Sequence, residues 1–219
     1  MQKTFLKLWR VKLAEFWNSL LTEKSWEILI KLNREKFNFI VIGGWAAYLW
    51  TKLHKSKDID IALTDIKDVD FLKHKYNLKK NDHLKKYEIS FEEIDVDIYI
   101  PHYSKLAIPV EDIKNYSTKI EGFTVVKPEL LLILKQGAEE DRENSVKGIK
   151  DRIDIITLIF LTNVDFKLYF KLLKKYKIDR YFIRLKSIIN NFKDYEHLNL
   201  NPREFKLKKR YILEKLKKI

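Results

Sequence analysis

Two of the chain's five glycines stand side by side, Gly43–Gly44, and thirteen residues separate them from Asp58–Ile59–Asp60. No other stretch restricts the fold as tightly. The apolar run Phe39 to Ile42 reads as a buried strand, and the glycine pair as a sharp turn. Trp45 to Leu53 reads as a short helix. Lys57 to Leu63 alternates and reads as a second strand. Residues two apart on a strand share a face, so Asp58 and Asp60 project together while Ile59 and Ile61 point the other way. Two carboxylates on one face repel each other unless a cation lies between them. Hard oxygen ligands at this spacing suit Mg²⁺, with Mn²⁺ as a substitute.

A second alternating segment, EEIDVDIYIP, reads as a third strand that ends at Pro101. Asp95 and Asp97 are again two apart and share a face. A mixed or antiparallel sheet brings one of them beside Asp58 and Asp60. Three carboxylates at neighbouring strand ends suit two divalent ions, which clamp an in-line displacement at phosphorus. The glycine pair complements that chemistry. Glycine lets the backbone approach a phosphate closely, and the start of the following helix offers unpaired N–H groups.

Around this centre the periodicity predicts helices over 3–20, 24–36 and 66–76. It predicts a strand pair over 78–91 turning at Asn81–Asp82, a short turn or helix from Pro109, and two short strands within 116–126 around Gly122. Pro128 opens a helix with Leu130, Leu131, Leu134 and Ala138 on one stripe. After the looser ENSVKG comes a helix over 149–161, then helical pattern over 164–190. The polar 199–202 segment leads to a basic terminal helix over 203–219. The class is α+β: a small mixed sheet flanked by helices, then a helical C-terminal half. The expected domains are 1–126 and 127–219.

With no cysteine in 219 residues, disulfides, thiolate chemistry and Cys-based zinc sites are excluded. The histidines at 54, 74, 83, 102 and 197 show no metal-ligand spacing. No stretch has the roughly 20 apolar residues of a membrane span. Charges interrupt the opening MQKTFLKLWRVKLAEFW every few residues, so it has no signal-peptide character. The expected location is cytoplasmic. Of the net charge of +13, residues 163–219 hold nearly all the excess, with 17 Lys and Arg against 6 Asp and Glu. A one-sided basic segment favours a polyanionic partner. Tyr169, Tyr176, Tyr181, Phe182 and Tyr211 interleave with those cations, a composition that suits RNA. The competing reading is a helical bundle whose aromatics face its own core, as is also expected of Trp45, Tyr48 and Trp50.

The order Gly-Gly, thirteen residues, Asp-apolar-Asp, then apolar-Asp-apolar resembles the nucleotidyltransferase superfamily of the DNA polymerase β type. It is nearest to the small prokaryotic nucleotidyltransferases that include AbiEii-like toxins. A downstream helical motif of that group is matched by Lys135, Ala138, Arg142, Lys150–Asp151 and Asp154. The resemblance covers about residues 38–160. It implies that Gly43 and Gly44 cradle a triphosphate and that Asp58 and Asp60 bind metal. Asp97, which precedes the apolar Ile98–Tyr99–Ile100, is the implied third carboxylate and helps deprotonate the acceptor hydroxyl. Lys135, Arg142 and Lys150 are implied contacts of phosphate or base, with Asp151 and Asp154 orienting the cations. Ser56 matches a small hydroxyl residue common two before the first Asp. His54 stands where many relatives have Arg.

The implied reaction is Mg²⁺-dependent transfer of a nucleoside monophosphate from an NTP to a hydroxyl, on RNA or tRNA as in toxin relatives, with an antitoxin as a possible partner. A small-molecule acceptor, as in antibiotic-modifying relatives, and a non-catalytic nucleotide-binding protein of the same fold are the two alternatives.

Overall fold

A computed structural model describes residues 20–219. The helix expected over 3–20 therefore falls, apart from its last residue, outside the described residues. The chain forms two compact units, one running to Lys127 and the other Pro128–Ile219.

The first unit is built on a seven-stranded mixed sheet, with strand order β3-β4-β5-β2-β1-β7-β6. Helix α1 (Leu20–Asn33) buries Leu29 and Leu32 and leads to β1 (Phe39–Val41), which is buried throughout. Helix α2 (Gly43–Thr51) follows at once and stops where Lys52 turns left-handed, at φ 56°. Strand β2 (Ile59–Leu63) returns antiparallel to β1, with Val41 opposite Ile61. Helix α3 (Asp68–Lys75) then carries the chain to β3 (Lys79–Asn81), β4 (Lys86–Phe91) and β5 (Ile94–Tyr99). These three form an antiparallel meander, and β5 closes onto β2 in parallel. The short helix α4 (Val110–Ile113) precedes β6 (Ser117–Ile120) and β7 (Phe123–Val126), the latter parallel to β1. Glu121 and Gly122 join the last two strands at φ 50° and 83°. Two left-handed residues in a two-residue loop match the twist of a hairpin, and Gly122 reaches that conformation without a Cβ penalty.

Burial follows the alternation read from the sequence. Ile94, Val96 and Ile98 are buried, while Asp95 and Asp97 lie on the opposite face. Trp45 is fully buried; its indole N–H donates to Ser25 Oγ at 2.9 Å, and its ring packs on Trp26 and Tyr48. The Trp50 indole donates to the Val126 carbonyl at 2.8 Å. These aromatics serve packing, as expected.

The second unit is helical: α5 (Pro128–Asp141), α6 (Val146–Leu161), α7 (Phe166–Lys175), α8 (Arg180–Asn191) and α9 (Pro202–Lys217). The stretch expected to be helical over 164–190 is two helices. Lys177 at φ 56° breaks the run, and the Ile178 N–H bonds back to the Leu173 carbonyl, a helix-ending geometry that sequence periodicity does not reveal. Caps mark the starts. Asp165 accepts from the N–H groups of Lys167 and Leu168, and Asn201 and Glu204 form a reciprocal box around Pro202. Tyr169 and Tyr181 are core residues, whereas Tyr211 is exposed. Among the described residues, no helix is long and apolar enough to cross a membrane. The α+β class, with a small mixed sheet and a helical second half, stands as expected.

Candidate active site

Three segments of the first unit meet at the C-terminal end of β1. The Ile42 N–H donates to the Asp60 carbonyl at 3.0 Å, which sets the next residue, Gly43, against Asp60. Gly43 has φ 64°, in the left-handed region that favours glycine. A Cβ placed on it would lie 2.0 Å from Asp60 Oδ2 and 2.5 Å from Cγ. The glycine requirement and the aspartate are thus one feature: the Asp60 side chain occupies the space that any side chain at 43 would need. The turn is tighter than expected, because helical hydrogen bonding begins at Gly43 itself rather than at Trp45. No side-chain hydrogen bond from the N-cap residue, Ile42, caps this helix start.

Parallel pairing sets the second contact. Ile59 stands opposite Val96 and Asp60 opposite Asp97. Neighbouring strands run about 4.8 Å apart, so the two carboxylates are held abreast on one face. Asp58 lies in the bend just before β2 rather than within the strand. Asp95 is exposed and accepts from the Ser90 hydroxyl at 3.0 Å. Of the two candidates on β5, it is Asp97 that faces Asp60.

The row continues beyond the expected residues. Glu88 stands opposite Asp97 on β4, and Lys79 opposite Glu88 on β3. Lys86, two residues before Glu88, shares its face. The Lys86 ammonium lies 2.6 Å from Asp97 Oδ2 and 3.0 Å from Glu88 Oε1, and Asn81 Nδ2 donates to that same Glu88 oxygen at 3.0 Å. Burial pushes the Asp97 carboxyl up, the neighbouring charge of Asp60 adds to this, and Lys86 opposes both; the result is about 6. Burial works to lower the Lys86 ammonium, yet its bonds to Asp97 and Glu88 prevail and raise it. The two partners of one ion pair therefore shift the same way. Asp97 follows its burial and Asp60, while Lys86 follows its carboxylates.

The donors that the register sets abreast are hard carboxylate oxygens, which fit Mg²⁺ or Mn²⁺. Among the described residues, no three acidic or histidine side chains converge on one point as they stand. At Asp97 the adjacent charge is the Lys86 ammonium. Lys86 and Glu88 were not singled out from the sequence. Their signal was the Lys-x-Glu alternation in the strand that pairs with Asp97, and it became readable only once that pairing was known.

Ser56 is buried and His54 half-buried in the loop between α2 and β2, and both are engaged in interactions. Lys135, Arg142, Lys150, Asp151 and Asp154 belong to the second unit. There the Lys135 ammonium, nearly buried, lies 2.6 Å from Asp154 Oδ2 and 3.3 Å from Asp151 Oδ1. Arg142 Nε donates to Asp151 Oδ2 at 2.6 Å, with its side chain 40% exposed. Arg142 is the first residue after α5, and it and Lys135 both reach Asp151. Gly148 makes the return possible, since a Cβ there would lie 2.2 Å from the Arg142 carbonyl oxygen.

No protein-family model matches the chain, and no curated protein matches it. Among solved structures, it is similar to an antigenic nucleotidyltransferase-like protein of Paracoccidioides brasiliensis. That match has 17% identity and a TM-score of 0.41, over 66% of this chain and 77% of that one. Megavirus polyadenylate synthase matches at 19% identity and a TM-score of 0.43, over 73% of this chain and 36% of the other. JHP933 of Helicobacter pylori matches at 20% identity and a TM-score of 0.50, over 91% of this chain and 95% of that protein. The likeness to JHP933 shows that the two chains share a fold.

Proposed function

We propose that this chain is a nucleotidyltransferase that moves a nucleoside monophosphate from an NTP to an acceptor hydroxyl. The observation that supports it most is the conjunction at Asp60: a left-handed glycine packed directly against it on one side, and Asp97 in register on the other. An ordinary turn beside an ordinary strand needs neither. Asp58, Asp60 and Asp97 would hold divalent ions, which would neutralise charge on the triphosphate and on the attacking oxygen.

The Gly43–Gly44 backbone and the start of α2 receive phosphate oxygens, with Ser56 in the loop that follows. Asp97 accepts the proton of the acceptor hydroxyl. The oxygen so freed forms a bond to the α-phosphorus as the bond to pyrophosphate breaks. Because Asp151 and Asp154 hold Lys135, the more exposed Arg142 suits phosphate or base contact better, with Lys150 as a further cation.

RNA is the proposed acceptor. The support is the excess charge of residues 163–219 together with exposed Tyr211, over whose ring the Lys215 ammonium lies at 4.9 Å.

The test is incubation with each α-³²P-labelled NTP, Mg²⁺ or Mn²⁺ and total RNA, with Asp60→Asn alongside. Label entering RNA from one NTP, and lost in the variant at unchanged thermal stability, supports the proposal. Full activity of Asp60→Asn would sink the site assignment. Label entering only small hydroxylated molecules would replace RNA as acceptor. NTP binding without turnover on any acceptor would leave a nucleotide-binding protein of the same fold.

A further inference from the structure

We propose that Lys86 is a resident counter-cation of the carboxylate row, which a divalent ion must displace from Asp97 in order to bind there. The inference rests on the metal assignment above and goes one step beyond it, to a residue outside the three-part motif. Lys86 is placed for this by construction rather than by chance contact. It begins β4, pairs with Asn81 and has a side chain only 12% exposed. Its ammonium bridges two carboxylates at 2.6 and 3.0 Å, and Asn81 fixes the second of them. Surface lysines seldom keep such a geometry, because holding a long side chain in one conformer costs entropy.

Two consequences follow from charge and distance. The Lys86 ammonium, 2.6 Å from Asp97, offsets the repulsion between the Asp60 and Asp97 carboxylates that their register sets abreast. A divalent ion on Asp97 would sit about 2 Å from a carboxylate oxygen, and thus within a few ångströms of the ammonium, where like charges repel strongly. The ammonium has a second seat already made at Glu88 and needs only to give up Asp97. The protein without nucleotide therefore holds a divalent ion weakly at Asp97.

The test is direct Mn²⁺ binding to the full chain without nucleotide, read from the electron paramagnetic resonance signal of the free ion. Lys86→Met keeps the chain length of the stem and removes the charge; it should bind Mn²⁺ roughly tenfold more tightly or better, given the size of a unit charge at this range. Lys86→Arg should restore weak binding. The double variant Lys86→Met with Asp97→Asn should lose the gain. Lys85→Met, which removes a neighbouring charge outside the row, should change affinity little. Equal Mn²⁺ affinity in the wild type and Lys86→Met would overturn the role of Lys86 while leaving the metal site intact. No Mn²⁺ binding by any variant would overturn the metal assignment and this inference together.

Discussion

Gly43 does two things that no other residue can do at once. It takes a left-handed φ, and it leaves room for the Asp60 carboxylate. Gly43→Ala should therefore destabilise the protein by about 2 kcal/mol or more, from the left-handed cost plus the displaced carboxylate. It should also abolish transfer. Urea denaturation checks the first effect and the labelling assay the second; an alanine variant of native stability would contradict the geometry. Asp97 gives a pH signature. Its carboxyl is raised to about 6 in the folded protein, against about 3.9 in an unfolded chain. Between those values the native state binds more protons than the unfolded one. The stability this contributes is full below about pH 4 and is lost as pH rises through about pH 6, to a total of about 3 kcal/mol. In EDTA, the melting temperature of the wild type relative to Asp97→Asn should fall across that window. A difference that stays flat with pH would count against the burial and charge described for Asp97.

At the scale of elements, pairing was less legible than periodicity. The strands carrying Asp60 and Asp97 could be read from alternation, since one face of each is continuously apolar. That Asp97 rather than Asp95 stands abreast of Asp60 depends on the register of a parallel pair separated by a long crossover, and no local pattern encodes it. Lys86 was hidden for the same reason. The break at Lys177 was missed because a lysine in left-handed conformation leaves no mark in composition. The loop reading ENSVKG gave way in the structure to a helix starting at Val146, capped by Ser145, whose hydroxyl accepts from the Gly148 N–H. Between α5 and α6, Lys135 is buried with two aspartates. Lys135→Met leaves Asp154 without that charge, and should cost about 3–5 kcal/mol in chemical denaturation of the full chain. Asn201→Ala removes one side of the box that starts α9 and should cost only about 1 kcal/mol. If the two variants were equally stable, the buried network would be no more than a surface pairing.

Across the whole molecule, charge is divided unequally, with residues 163–219 carrying most of the excess. An RNA bound through them should show a linear fall of log affinity with log salt concentration, with a slope of about −3.5 if five phosphates are engaged. Salt-insensitive retention, measured by filter binding over a salt series, would argue for a small-molecule acceptor. The topology also carries a consequence for the order in which the chain folds. Strands β1 and β2 are joined by a short helix and pair as neighbours, so Gly43 and Asp60 can meet through local contacts. Strand β5 must close on β2 across α3, β3 and β4, and such non-local closures are slow. A chain caught between the two events would hold Gly43 against Asp60 without Asp97 beside them. The proposed transfer activity should then return later in refolding than helical signal does.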